Sequence, residues 1–409
     1  MRIALLAHAP ALGGSTDLLI QVRDFLLQRG HAVQCIFGGG TSPVDPRVQD
    51  AWIFKSEARA WRARMREYVA LVEGFRPDIA YAFAGHHEMD LFRFLRCVRV
   101  RHVSTLEQHG FADIPFWLSE YRDYFEACTA NTPDALEETE RYSGKPSFLL
   151  PYRMPQMEDT FAKIELPSKI DGTRRLEVAF VARLERFQKR SHWLPEIIAR
   201  CENLRVPLNW NIYGDGPEGP FLRRKLAKAS HVTFHGWMDR AALYRVLPGN
   251  DLFFLCSRWE GLPISMVEAM RCGVACVAPD IPAGIRWTLS HGGGWLYKAT
   301  SPRAAANALA EAARNRDLLL EKRAEAFRLA VELFPPSLAE QYYPKLEAEL
   351  QKLTFNGNVL DVATAPKFKG IRASGYVQRV GYILDKAFSS PEWFFKKSAQ
   401  LAKQSLGMR

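Results

Sequence analysis

Short apolar runs recur along this chain, each followed by a segment whose apolar residues fall at helical spacing, and that alternation leaves few folds open. Arg2–Ala7 reads as a buried strand. Leu18, Leu19, Val22, Phe25 and Leu26 then recur with the period of a helix, Gly30 stops it, and Ala32–Phe37 forms the next strand. Repeated βαβ units of this kind imply a parallel sheet with helices on both faces. Phe75-Arg76-Pro77-Asp78 introduces a strand at Ile79–Phe83, and His102–Leu106 and Thr129–Asn131 continue the series. A polar, proline-bearing stretch from Pro151 to Arg175 interrupts it. A second series follows, with strands at Leu176–Val181, Leu208–Tyr213, Val232–His235, Asp251–Cys256 and Val274–Ala278 and a helix over Ala304–Ala313. The pattern predicts an α/β protein of two doubly wound domains, 1–165 and 166–350, with 351–409 as a tail. Ligands of such sheets sit beyond the carboxyl ends of the strands, so the cleft between the domains is where chemistry is expected.

The chain of 409 residues is long enough to bury two cores without disulfides. Its 47% hydrophobic and 24% charged residues exclude a disordered or fibrous protein. No apolar run is long enough to cross a membrane. The apolar N-terminal run is short and leads into Gly13-Gly14, so it reads as a strand rather than a secretory leader. Seven cysteines, an odd number with no C-x-x-C pair, point to a reducing compartment and a cytoplasmic protein. Lys plus Arg total 55 against 45 Asp plus Glu, a net charge of +10 that favours an anionic partner. Much of the excess lies in residues 366–409, which hold nine basic side chains and two acidic ones.

Several chemistries are disfavoured by what is missing. No G-x-G-x-x-G follows the first strand, no G-x-x-x-x-G-K-[ST] occurs, and no Asp-x-Asp offers a metal–diphosphate clamp. The most informative stretch is Ser257-Arg258-Trp259-Glu260-Gly261-Leu262-Pro263-Ile264-Ser265-Met266-Val267-Glu268. It places one carboxylate, Glu260, on a loop at a strand's carboxyl end and a second, Glu268, in the first turns of a helix. The Gly261-Leu262 backbone and the helix N-terminus suit a phosphate, and the carboxylates suit sugar hydroxyls. The same residues also fit a plain capping box, Ser265-x-x-Glu268, with Glu260 in a solvated loop.

This stretch resembles the Glu-x7-Glu motif of the retaining glycosyltransferases of family 4, which have the two-Rossmann-domain architecture called GT-B. The resemblance covers most of the chain up to about residue 350. Gly13-Gly14 resembles the family's glycine-rich first loop. Ala182-Arg183-Leu184 with Lys189 resembles its Gly-Arg-Leu…Lys element, with alanine in place of the usual glycine. Ile212-Tyr213-Gly214-Asp215-Gly216-Pro217 and Val232-Thr233-Phe234-His235-Gly236-Trp237 resemble the next two turns. Thr105-Leu106-Glu107-Gln108-His109-Gly110 resembles Thr-x-His-Gly with a longer spacer.

The resemblance implies a nucleotide-sugar donor, a glycan or lipid-linked acceptor, and a place in surface polysaccharide biosynthesis. Arg183 and Lys189 would neutralise the donor's diphosphate without a metal ion, and Gly13 and Gly14 would approach it from the other domain. Phe234, in a strand-end turn, would meet the nucleobase with its backbone. His109 would contact the transferred sugar, with His86 and His87 as rivals. Glu260 would position that sugar and Glu268 would bind the ribose. A solvated basic turn containing Arg186 and Arg190 competes with the diphosphate role. The same architecture also hosts sugar-nucleotide epimerases, phosphorylases and non-catalytic partner subunits. Arg59, Arg62 and Arg66 beside Trp61, Met65 and Tyr68, and a tail in which Tyr376, Tyr382, Phe388, Trp393, Phe394 and Phe395 lie among basic residues, suit an anionic membrane surface at the inner face. An ordinary solvated basic face fits them equally, and nucleic acid fits less well.

Overall fold

The computed structural model describes residues 1–8, 13–39, 45–83, 87–103, 114–154 and 166–365. The first sheet comprises β1 (Arg2–Ala7), β2 (Ala32–Phe37), β3 (Trp52–Ile53), β4 (Ile79–Ala82), β5 (Val98–Val103), β6 (Ala127–Ala130) and β7 (Ser147–Leu149). Its helices are α1 (Gly14–Gln28), α2 (Trp61–Gly74), α3 (His87–Phe92), α4 (Ile114–Tyr121) and α5 (Pro133–Ser143). The second sheet comprises β8 (Leu176–Val181), β9 (Leu208–Tyr213), β10 (Val232–Gly236), β11 (Leu252–Phe254), β12 (Ala275–Pro279) and β13 (Gly294–Tyr297). With it go α6 (Leu194–Asn203), α7 (Gly219–Lys225), α8 (Arg240–Val246), α9 (Ile264–Arg271) and α10 (Gly284–Ser290). Three further helices follow, α11 (Pro302–Arg314), α12 (Arg316–Leu333) and α13 (Ser337–Lys352).

The strand orders are β3-β2-β1-β4-β5-β6-β7 and β10-β9-β8-β11-β12-β13, and β1, β4, β8 and β11 pair in parallel with their neighbours. In each sheet the chain winds outward one way and then returns to the other side of its first strand. The reversal falls between β1 and β4 in one sheet and between β8 and β11 in the other, and such switch points open a crevice at the strands' carboxyl ends. Both faces of each sheet are covered, as side-chain alternation along a strand requires. Ile3 and Leu5 of β1 enter one apolar cluster while Ala4 and Leu6 enter another. In β8, Val178 and Phe180 divide from Ala179 in the same way.

Most anticipated strands lie where the apolar runs put them, and four coincide to the residue: Arg2–Ala7, Ala32–Phe37, Leu176–Val181 and Leu208–Tyr213. One is displaced. β5 begins at Val98 rather than His102, because Arg99 and Arg101 break its apolar pattern although both are buried. β3, β7 and β13 were not anticipated, being two to four residues long.

The end of the described chain returns to the first sheet. In α13, Tyr343 packs edge-on against Phe25 of α1 at 5.5 Å between ring centroids, and Glu347 pairs with Arg29 at 2.9 Å and His31 at 2.8 Å. Residues 353–365, grouped with the tail in the sequence reading, continue over the same domain. Arg99 donates to the Asn358 carbonyl at 2.7 Å, and Arg62 of α2 donates to that of Ala365 at 3.4 Å. Arg59 precedes α2, Arg62 and Arg66 are exposed on it, and Met65 and Tyr68 are buried. The basic aromatic stretch 366–409 lies outside the described residues. No helix among the described residues is long and apolar enough to cross a membrane.

Candidate functional site

Residues singled out from the sequence follow the strands that flank the two switch points. Gly13 and Gly14 come after β1, Arg183 and Lys189 after β8, and Glu260 through Leu262 after β11. Gly13 is the N-cap of α1, with φ 156°, and Pro263 is the N-cap of α9; neither first turn receives a hydrogen bond from its cap side chain. The two N-termini meet across the cleft, because a Cβ added to Gly14 would lie 3.5 Å from Cγ1 of Ile264, the first residue of α9. Two positive helix ends thus converge, each with N–H groups that its own helix cannot use.

The turn after β8 is organised by an acidic residue that sequence reasoning overlooked. The Glu185 carboxylate accepts from the backbone N–H groups of Phe187 at 2.7 Å, of Gln188 at 2.8 Å and of Lys189. Its signal in the sequence is a lone acid inside the basic run Arg183–Arg190. The turn is pinned to the β11 loop by Arg258 N–H, which donates to the Gln188 carbonyl at 2.7 Å. Lys189 is thereby set against Glu260, Nζ to Oε1 at 2.5 Å, and Ser257 Oγ donates to the same oxygen at 2.6 Å. Glu260 is 4% exposed, so it is a buried, paired carboxylate rather than a solvated loop residue.

The basic turn also resolves into separate roles. Arg186 pairs with Glu218 at 3.0 Å, and Arg190 donates to the Ala299 carbonyl at 3.1 Å while covering the Trp193 ring. Arg183 is exposed, and its side chain makes no hydrogen bond or ion pair among the described residues. The Gly214-Asp215-Gly216 turn supports it from below. A Cβ on Gly214 would meet the Ala182 carbonyl oxygen at 2.0 Å, and one on Gly216 that of Leu184 at 2.5 Å, so the β9 turn passes directly under the Arg183 loop. Gly284, at the start of α10, likewise leaves room for the Gly261 carbonyl and Leu262.

Glu268 is 5% exposed and sits in α9. The capping-box alternative is excluded by the geometry: the N-cap is Pro263, and Ser265 Oγ instead donates to the Val181 carbonyl of β8 at 3.2 Å. Glu268 Oε1 accepts from Arg240 Nε at 2.8 Å and from the Tyr244 hydroxyl at 3.2 Å. Burial pushes its carboxyl above the usual range, and the Arg240 charge opposes that shift.

Phe234 requires a correction. It lies inside β10 rather than in the turn, which falls at Gly236, with φ 75°, and Trp237. The Phe234 ring is partly buried against the core with the Arg223 guanidinium 4.8 Å above it, because strand alternation turns it away from His235, which stacks on Tyr213. His109 and His86 lie outside the described residues, and His87 opens α3. Among the described residues, no group of three or more His, Cys, Asp or Glu is placed to hold a metal ion. All seven cysteines are buried and unpaired.

Residues 175–315 match the family model described as glycosyl transferases group 1. This stretch holds Arg183, Lys189, Glu260 and Glu268. Over 219 residues the chain is 24% identical to a 41.2 kDa protein in the cps region of Klebsiella pneumoniae, covering 49% of this chain and 58% of that protein. Over 165 residues it is 24% identical to the GtfA subunit of a UDP-N-acetylglucosamine–peptide N-acetylglucosaminyltransferase of Streptococcus pneumoniae, covering 40% of this chain and 33% of that one. The matches thus span 58% and 33% of these two relatives' own lengths. Among solved structures, Anabaena HepE in complex with UDP and glucose superposes with a TM-score of 0.64 at 17% identity, over 86% of this chain and all of that one. TarM of S. aureus, in complex with UDP among other ligands, superposes at 0.63 with 11% identity, over 84% of this chain and 99% of that one. The fold is GT-B.

Proposed function

We propose that this protein transfers a sugar from a nucleotide-diphosphate sugar to a glycan or lipid-linked acceptor, in the synthesis of a surface polysaccharide and with retention at the anomeric carbon. The observation that carries the reading is the meeting of α1 and α9 at Gly14 and Ile264, beside the Lys189–Glu260 pair and the exposed Arg183. Two helix N-termini and two cations converge where the sheets' switch points face each other, an arrangement suited to a diphosphate. UDP-bound HepE and TarM and the cps-region relative support the substrate class.

In this reading the donor's diphosphate lies between the helix ends, met by Arg183 and by Lys189, with no metal ion required. Glu260, fixed through Oε1, offers Oε2 to the hydroxyls of the transferred sugar, and Glu268 receives the ribose. The glycosidic carbon–oxygen bond to phosphate breaks while the acceptor oxygen bonds to the same face of that carbon. The acceptor's proton passes to the departing phosphate oxygen. Such a path needs no carboxylate nucleophile next to the scissile bond, unlike a retaining hydrolase. A panel of nucleotide sugars tests the reading by thermal shift. The cognate donor at about 100 times its dissociation constant stabilises by about 2.7 kcal/mol, and no shift with any donor overturns the proposal.

The membrane-held acceptor carries its own expected outcome. Each basic residue near an anionic surface contributes about 1 kcal/mol, so a few engaged residues of 366–409 suffice for reversible attachment. Full-length protein is expected to bind anionic liposomes, to be released by high salt and to bind neutral liposomes poorly. Deletion of 366–409 weakens that binding and leaves donor hydrolysis largely intact. Equal binding by the truncated protein removes the tail from the argument.

A further inference from the structure

Arg240 opens α8 just beyond the β10 turn and joins the two domains through three acceptors. Its Nε donates to Glu268 Oε1 at 2.8 Å, and its Nη2 donates to Asp17 Oδ2 at 3.0 Å and to the Tyr152 hydroxyl oxygen at 2.6 Å. Tyr152 donates in turn to Asp17 Oδ2 at 3.1 Å, and the other oxygen of Asp17 is held by Arg47. Asp17 lies in the first turn of α1 and Tyr152 just beyond β7, so both belong to the first sheet's side of the cleft. Glu268 belongs to the second.

The geometry at Glu268 is uneven. Arg240 and Tyr244, one helical turn apart on α8, both donate to Oε1, and among the described residues nothing donates to Oε2. An ionised carboxylate accepts at about four positions, so locking it through one oxygen presents the other to a pair of adjacent hydroxyls. Burial favours the neutral form of this carboxyl and the Arg240 charge opposes that, and the charged form is the stronger acceptor for both hydroxyls.

We propose that Arg240 is a positioning residue for recognition of the donor's ribose: it fixes Glu268 through Oε1 and ties that carboxylate to Asp17 and Tyr152, making ribose recognition in one domain depend on contact with the other. The inference rests on the donor reading of Glu268 given above. It differs from that reading in the residue it names and in the coupling between domains.

The test compares a nucleoside diphosphate with its 2′,3′-dideoxy form on the full chain by titration calorimetry, using whichever of UDP, GDP, ADP or CDP binds tightest. Wild-type protein is expected to prefer the ribose form by about tenfold or more, the worth of hydrogen bonds to a charged acceptor. Glu268→Gln reduces that preference. Arg240→Gln brings it within about threefold while affinity for the dideoxy form stays within about twofold. Arg240→Lys restores part of it, and Asp17→Asn, on the other domain, moves it in the same direction as Arg240→Gln. Because each variant is judged by a ratio, a partly unfolded sample does not mimic the result. A wild type that binds no diphosphate, or binds both forms equally, overturns the donor reading and this inference together. A wild type and an Arg240→Gln variant with the same preference, while Glu268→Gln loses it, overturn the inference alone. Equal loss of both forms in Arg240→Gln also overturns it, by making Arg240 a fold residue only.

Discussion

Arg183→Ala and Lys189→Ala are each expected to lower turnover about a hundredfold or more, roughly the 3 kcal/mol that one preorganised contact to a developing oxyanion supplies. The two variants should part company in stability. Arg183 is exposed and makes no ion pair among the described residues, so its truncation removes charge from the cleft and little else. Lys189 pairs with Glu260, whose side chain is 5% exposed, so Lys189→Ala leaves a buried carboxylate with Ser257 and a long contact from Gln188. An uncompensated buried charge is costly, so the unfolding midpoint should fall for Lys189→Ala and hold for Arg183→Ala. Turnover is measured against the cognate donor and stability by urea unfolding. Wild-type rates in both folded variants remove these residues from the diphosphate site. A fall in rate with no change in stability for Lys189→Ala instead denies that its pairing with Glu260 matters in solution.

The alternating apolar runs made the two sheets legible, because strands buried on both faces need little beyond their own hydrophobicity to declare themselves. Glu260, Glu268, Arg183 and Lys189 were legible as residues that follow strands. Their partners were not. Glu185 acts on backbone N–H groups, which leave no trace in side-chain patterns. Arg240 meets Asp17 across 223 positions of sequence, so nothing local marks it. Ser265 looked like half of a capping box because spacing alone cannot say that its hydroxyl reaches the Val181 carbonyl on a neighbouring strand. Phe234 was assigned to the turn at the end of a strand read as Val232–His235, whereas β10 runs on to Gly236 with an irregularity between Phe234 and Gly236 that shifts its register. β5 shows the general difficulty most plainly. A strand reading Val-Arg-Val-Arg-His-Val has the alternation of a half-solvated edge, yet it lies inside the sheet, and only a partner far along the chain makes that affordable.

That partner is Glu126, and its removal is the second large effect expected. Arg99 is 0% exposed, and Glu126 receives Arg99 Nη2 at 2.8 Å together with the Arg99 backbone N–H. The rest of the guanidinium is consumed by the returning chain and its neighbours: Nη1 donates to the carbonyls of Phe92 at 3.0 Å and Asn358 at 2.7 Å, and Nη2 to Asn356 Oδ1 at 2.8 Å. The ring of Phe355 covers it at 4.8 Å. Glu126→Ala leaves a buried cation facing neutral acceptors and is expected to cost about 3–5 kcal/mol, the usual result of breaking one side of a buried pair. The loss should also be local, since Asn356 N–H gives up its contact with Glu126 as well, so protease cleavage within residues 353–365 should accelerate before the second sheet opens. Replacing both partners with apolar residues, Arg99→Met with Glu126→Leu, should recover much of the stability because no charge is left stranded. It should not restore protection of 353–365, where the Asn358 carbonyl and the Asn356 side-chain oxygen take Arg99 as donor. If Glu126→Ala unfolds at the wild-type midpoint, the pair is not what fixes β5 in the sheet. If the double variant regains protection of 353–365, then the apolar contacts of Leu360 and Ala365, rather than the guanidinium, hold the returning chain.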